Sequence, residues 1–139
     1  MKTTKMKKIL IALCCISFTA CAKSKDIDTT YQTELYNSYW VGTRLESIYK
    51  GEVDVDIDGR TFHFKKDSIS YVKWSNEITT NKITYTKNGF IIYHTKPFYK
   101  EEFDIKTISK DKMIIVNQTN NDYQRVIHLI RVYNPIKFD

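Results

Sequence analysis

Lys82-Ile83-Thr84-Tyr85-Thr86-Lys87-Asn88-Gly89-Phe90-Ile91-Ile92-Tyr93-His94-Thr95 reads as two strands on either side of a turn. β-branched and aromatic residues fill both arms, and Asn-Gly between such arms is the strongest short hairpin signal. The pattern repeats outward. Glu52-Val53-Asp54-Val55-Asp56-Ile57 alternates strictly, and Asp58-Gly59 then predicts a hairpin turn into an extended stretch at 60–65. Residues 39–49, 68–74, 102–108, 112–118 and 123–133 are further β-branched and aromatic runs, with Ser75-Asn76, Lys110-Asp111 and Asn120-Asn121 between them. Short connections force neighbouring strands to be antiparallel, because a parallel crossover needs a dozen or more residues.

The predicted class is therefore all-β. An antiparallel up-and-down meander of this many strands tends to close into a small barrel and so remove its edges; a β-sandwich is the rival arrangement. Ahead of the strands, residues 29–37 carry Tyr31 and Leu35 four apart, the spacing of a short helix leading into the domain.

The chain has 139 residues, 22 basic and 16 acidic side chains, and a net charge of +6. With 42% apolar and 27% charged residues it is neither disordered nor fibrous. The charge is unevenly placed. Lys2, Lys5, Lys7 and Lys8 precede an apolar run at 9–18, which Thr19, Ala20 and Cys21 follow. A basic start, a short apolar stretch and small residues make a secretory signal peptide. The run is too short to span a bilayer, which takes about 20 apolar residues.

Phe18-Thr19-Ala20-Cys21 resembles the lipobox of bacterial lipoproteins, with Phe18 where leucine is usual. The resemblance implies acylation of Cys21 after removal of residues 1–20. Ala22 in place of an aspartate implies the outer membrane, facing the periplasm. The four lysines would leave with the signal and reduce the charge to +2. Cys14 and Cys15 would leave too, so no disulfide or thiol chemistry is expected of the folded domain. Residues 21–34 read as a lipid-anchored tether with the short helix, and 35–139 as the β-domain.

Leu35-Tyr36-Asn37-Ser38-Tyr39-Trp40 is similar to the opening of bacterial lipocalin-like domains, with Ser38 at a glycine position. The hairpin arms, the stretch Phe103-Asp104-Ile105-Lys106-Thr107-Ile108 with its partner, and Arg131 in a terminal Leu-Ile-Arg-Val-Tyr strand extend the likeness. It implies a barrel closed at one end by Trp40, packed near basic Arg131. It also implies binding of a small apolar or amphipathic ligand, or of a protein.

Candidate chemistry is sparse. Asp54, Asp56, Asp58 and Gly59 match half of an EF-hand loop, but Lys65 stands where a bidentate glutamate should close it. The alternation of acids with Val55 and Ile57 instead reads as a strand with one wet face. His63, His94 and His128 fall in separate strands without ligand spacing, so no metal and no cofactor is expected. Alternation sets His63 on the wet face and allows His94 and His128 to look inward. Glu101 and Glu102 point to opposite faces of a strand and cannot pair there. No nucleophile elbow or phosphate-cradling glycine loop occurs, so an enzyme is not expected.

Aromatic residues are 14% of the chain. Most suit a barrel core and cross-strand pairs. Tyr71, Tyr85, Tyr93 and Tyr99, with His94 and His128, form the candidate ligand-binding set, because tyrosine offers an apolar ring and a polar tip. Lys96-Pro97-Phe98-Tyr99-Lys100 reads as a longer loop and lid at the barrel mouth. The expected partners are a membrane, through the N-terminal lipid, and a small apolar ligand in a cavity of at least about 300 Å³. The alternative is an inhibitor or immunity protein that binds a periplasmic enzyme or toxin through an exposed aromatic patch. Nucleic acid is not an expected partner.

Overall fold

A computed structural model describes residues 30–72 and 75–133. The signal segment 1–20, Cys21, the tether up to residue 29 and Trp74 lie outside the described residues. The order of elements is α1 (Thr30–Leu35), β1 (Ser38–Tyr49), β2 (Glu52–Asp56), β3 (Thr61–Phe64), β4 (Ser68–Val72), β5 (Ile78–Tyr85), β6 (Gly89–Thr95), β7 (Phe98–Ile108), β8 (Lys112–Asn120) and β9 (Tyr123–Val132). Each strand from β3 onward pairs antiparallel with the next, and β9 returns to β1. β1 and β3 to β9 thus close an antiparallel barrel of eight strands. The meander is up-and-down, as the strand pattern predicts, and the barrel is lipocalin-like, as the resemblance implies. Among the described residues no helix is long and apolar enough to cross a membrane.

The predicted hairpin turn at Asp58-Gly59 is not a hairpin turn. β2 and β3 both pair with β1, along Leu45 to Tyr49 and Ser38 to Val41 respectively. They form one return strand interrupted at residues 57–60. The reversal is made earlier, at Lys50-Gly51, where φ is +48° and +86°. Two adjacent left-handed residues match the twist of a tight hairpin, and glycine takes the second at least cost. Asp58 is buried rather than solvated: Arg60 Nε donates to its Oδ1 over 2.7 Å. Among the described residues no group of three or more His, Cys, Asp or Glu side chains is placed to hold a metal ion.

The Asn88-Gly89 hairpin forms, but with a longer loop than the dipeptide predicts. Gly89 is already in β6, and a Cβ there would lie 1.8 Å from the Phe103 carbonyl oxygen. The glycine serves the close approach of β7. The region 96–100 also departs from expectation, being strand rather than lid. The turn is Lys96-Pro97, and Phe98, Tyr99 and Lys100 pair with Thr95, His94 and Tyr93. β5 starts four residues before the predicted 82–87 run, because its inward positions Thr79 and Asn81 are polar and conceal the alternation.

Inward side chains fill one end of the barrel with Leu35, Trp40, Phe64 and Phe90, all fully buried. Phe90 meets Phe64 edge-on at 5.3 Å and Phe103 in a stack at 5.2 Å, arrangements that add to area burial. α1 plugs this end. Asn37, at φ +56°, ends the helix in the left-handed conformation and turns the chain into β1. Tyr31 ties the plug to the start of β6 by donating its hydroxyl to Gly89 O over 2.8 Å.

Candidate functional site

Strand alternation fixes which side chains reach the lumen. These include Phe64, Ile69, Phe90 and Phe103 toward the closed end, and Phe62, Tyr71, Ile92 and His94 above them, with Ile115 and Ile127 from β8 and β9. They leave a cavity of about 140 Å³, floored by Phe62, Phe64, Phe90, Phe103, Ile115 and Ile127. That volume resembles the apolar cavity of about 150 Å³ known to admit benzene. It falls short of the expected 300 Å³, because the phenylalanine rings occupy the lower lumen.

Polar side chains crown the cavity. Glu101, inward on β7, lies 2.9 Å through Oε2 from His94 Nε2, and its other oxygen accepts from Arg125 Nη2. Arg125 also donates to Asn117 Oδ1 over 3.1 Å, while its Nε is buried and has no hydrogen-bond partner among the described residues. The His94 ring stacks on Tyr99 at 4.1 Å and 6°. Burial alone would raise the Glu101 carboxyl, but the Arg125 guanidinium and then His94 outweigh it and hold it below the usual range. Burial, with the Glu101 charge nearby, pushes the Tyr99 hydroxyl up. The result is an apolar pit beneath a charge-compensated rim, able to bury a small apolar group and hydrogen-bond a polar one.

Of the candidate ligand residues, Tyr71, Tyr99 and His94 line this cavity. Tyr85 is elsewhere. It belongs to the closed end, where its hydroxyl donates to Lys65 O over 2.8 Å and Tyr36 meets it edge-on at 5.1 Å. Burial drives that hydroxyl far up. Tyr93 faces outward beneath Lys82, 5.7 Å from its ring centre. His128 also faces outward, with Nε2 3.0 Å from Glu46 Oε1; the apolar pair sharing its face, Val126 and Ile130, is on the outer wall. His63 is on the outer face but not wet, because Tyr39 stacks over it at 4.0 Å. Burial, with Lys65 nearby, lowers its basicity.

Trp40 and Arg131 meet at the closed end. Trp40 Nε1 donates to Ser38 Oγ over 2.7 Å, and Arg131 lies 5.7 Å over the indole. Arg131 also holds Glu34 of α1 at 3.0 Å. Ser38 thus supplies the indole's hydrogen-bond partner.

Glu101, Asn117 and Arg125 escape a reading by residue type. Arg125 alone was detectable, since it shares the inward face of Ile127 and Leu129. Its partners come from two other strands, Asn117 directly opposite on β8 and Glu101 on β7. No family model, curated protein or solved structure matches the chain.

Proposed function

We propose that the protein is a lipid-anchored binding protein of the bacterial cell envelope whose barrel takes a small amphipathic molecule. The carrying observation is a cavity of about 140 Å³ with a phenylalanine and isoleucine floor and with Arg60, His94, Glu101 and Arg125 in its upper lining. Pockets for drug-sized ligands run from about 300 Å³. The apolar part of this ligand is therefore smaller, about one ring or a short alkyl chain. Burying such a group supplies roughly 25 cal/mol per Å² of apolar surface, and tyrosine and arginine hydrogen bonds fix its orientation.

The anchor rests on sequence. Lysines before a short apolar run ending in Cys21 support acylation there and attachment to the outer membrane on the periplasmic side. Two or more chains at about 0.8 kcal/mol per buried methylene make such attachment durable. No chemical step is part of this reading.

Benzene is the simplest probe. Titrated into the protein, it should give saturable NMR shifts of the Ile92, Ile115 and Ile127 methyls and leave outward-facing methyls unmoved. Unmoved lumen methyls in benzene-saturated buffer overturn the reading.

A second reading, capture of a periplasmic enzyme or toxin, is favoured by one observation. Phe98 is 81% exposed at the open end, where Tyr49 and Ile78 are exposed too. A protein that copurifies in fixed ratio would select it.

A further inference from the structure

β2 has a partner on one side only. It pairs with β1 along Leu45 to Tyr49, and among the described residues no strand pairs with its other edge. The two-residue turn at Lys50-Gly51 sets the phase of that hairpin. Tyr49 and Glu52 exchange backbone hydrogen bonds across such a turn, and every second pair repeats the exchange. The intervening groups of β1 turn to β9, and the Lys50 N–H continues this by donating to the Asp122 carbonyl over 2.9 Å. Glu52, Asp54 and Asp56 therefore direct their backbone groups to β1. The N–H and C=O of Val53 and Val55 point the other way, a template for one more strand.

The side chains divide in the same alternation. Val55 stands opposite Glu46, which meets the outward-facing His128, so Val53 and Val55 lie on the outer face. They are 56% and 50% exposed, and Ile57 just past the strand is 65% exposed. Glu52, Asp54 and Asp56 lie on the opposite face of the strand and are exposed as well. Among the described residues none of the three has an ion-pair partner. Exposed apolar side chains beside open backbone groups suit a docked strand.

The acids decide which strand. A second copy laid antiparallel on this edge would bond through Val53 and Val55 on both sides, and that phase sets carboxylate opposite carboxylate. The repulsion rejects a copy and favours a basic partner. We propose that the free edge of β2 docks an extended segment of another protein, with lysine or arginine at alternate positions and β-branched residues between them. Its basic side chains face Glu52, Asp54 and Asp56, and its apolar ones cover Val53 and Val55. Five residues bury too little for a permanent complex, so the contact is transient. None of these residues lines the lumen cavity, and the contact does not depend on what fills it.

NMR titration of the full chain tests this. The probe is an acetylated, amidated pentapeptide of alternating lysine and valine. Its controls are the isomer with the three lysines together and the counterpart with glutamate for lysine. The alternating peptide should move the Val53 and Val55 amides and bind at least tenfold more tightly than either control. Asp54→Lys, at an exposed position, should weaken it at least fivefold and strengthen binding of the glutamate peptide. Val55→Pro removes an N–H that points away from β1, so the hairpin stays and binding of the alternating peptide should again fall at least fivefold. Equal binding of the clustered isomer, unmoved Val53 and Val55 amides, or D54K without effect each overturns the proposal. So do shifts of these amides with protein concentration alone, the mark of a second copy.

Discussion

His94 and Glu101 are diagonal neighbours across the β6–β7 ladder, and their side chains meet inside the barrel with Nε2 and Oε2 2.9 Å apart. Adjacent strands place such i, j+2 pairs within reach of long side chains. The pair, with Arg125, turns the top of an apolar lumen into a polar rim.

Glu101→Gln keeps the shape and removes the charge. Its partners hold the folded carboxyl below the ordinary value of 4.5. Glu101 therefore stabilises the fold above the unfolded carboxyl's range, and that contribution is lost as pH falls through the folded value. E101Q should cost about 1–3 kcal/mol at pH 7, the scale of a charge-assisted hydrogen bond, and much less at pH 3. Urea unfolding of both proteins at the two pH values measures this. An equal cost at both would contradict it.

His63 gives a second pH dependence. Its folded value lies below the ordinary 6.5, because burial under Tyr39 and then Lys65 disfavour the imidazolium. Stability from the neutral ring is complete above 6.5 and declines as pH falls below it toward the folded value. The His63→Phe variant should lose that decline. Thermal melts between pH 7.5 and 5, with the His63 ring followed by NMR, check both the site and the sign.

Trp40 and Arg131 should be unequal. Trp40 is fully buried, so Trp40→Ala leaves a large void and should cost about 3–5 kcal/mol. Arg131→Ala loses a contact over the indole and a pair with half-exposed Glu34, together about 1 kcal/mol. Denaturant titration of the two variants should rank them in that order, and a reversed ranking would show that the plug is held electrostatically.

Gly89 and Gly42 test close approach. A Cβ on Gly89 meets the Phe103 backbone oxygen at 1.8 Å, whereas on Gly42 it meets the Asp58 side chain at 1.9 Å. Side chains yield more readily than backbone. Gly89→Ala should therefore cost about 3 kcal/mol or more, at the top of the overpacking range, and Gly42→Ala about 1–3 kcal/mol. Unfolding free energies of the two variants decide it.

The fold was legible because alternation and turn chemistry repeat along the whole chain, from Glu52-Val53-Asp54-Val55 to the Asn88-Gly89 hairpin. Turn placement was less so. Asp58-Gly59 has hairpin composition, yet Lys50-Gly51 makes the turn, because β1 is long enough to pair with β2 and β3 in succession. The site was partly legible. Tyr71, Tyr99 and His94 followed from residue type and face, but Tyr93 and His128 show that an apolar neighbour two residues away does not identify the inside. Val126 and Ile130 make the outer face of β9 as apolar as an inner one. The rim was hidden for another reason: Glu101, Asn117 and Arg125 come together only when three strands assemble.

Native mass spectrometry of the full-length protein isolated from its own host tests the central claim most directly. The account predicts a chain carrying a single small molecule whose apolar part is no larger than one ring or a short alkyl chain. A chain that is bare, or bound instead to another protein in fixed ratio, would contradict it.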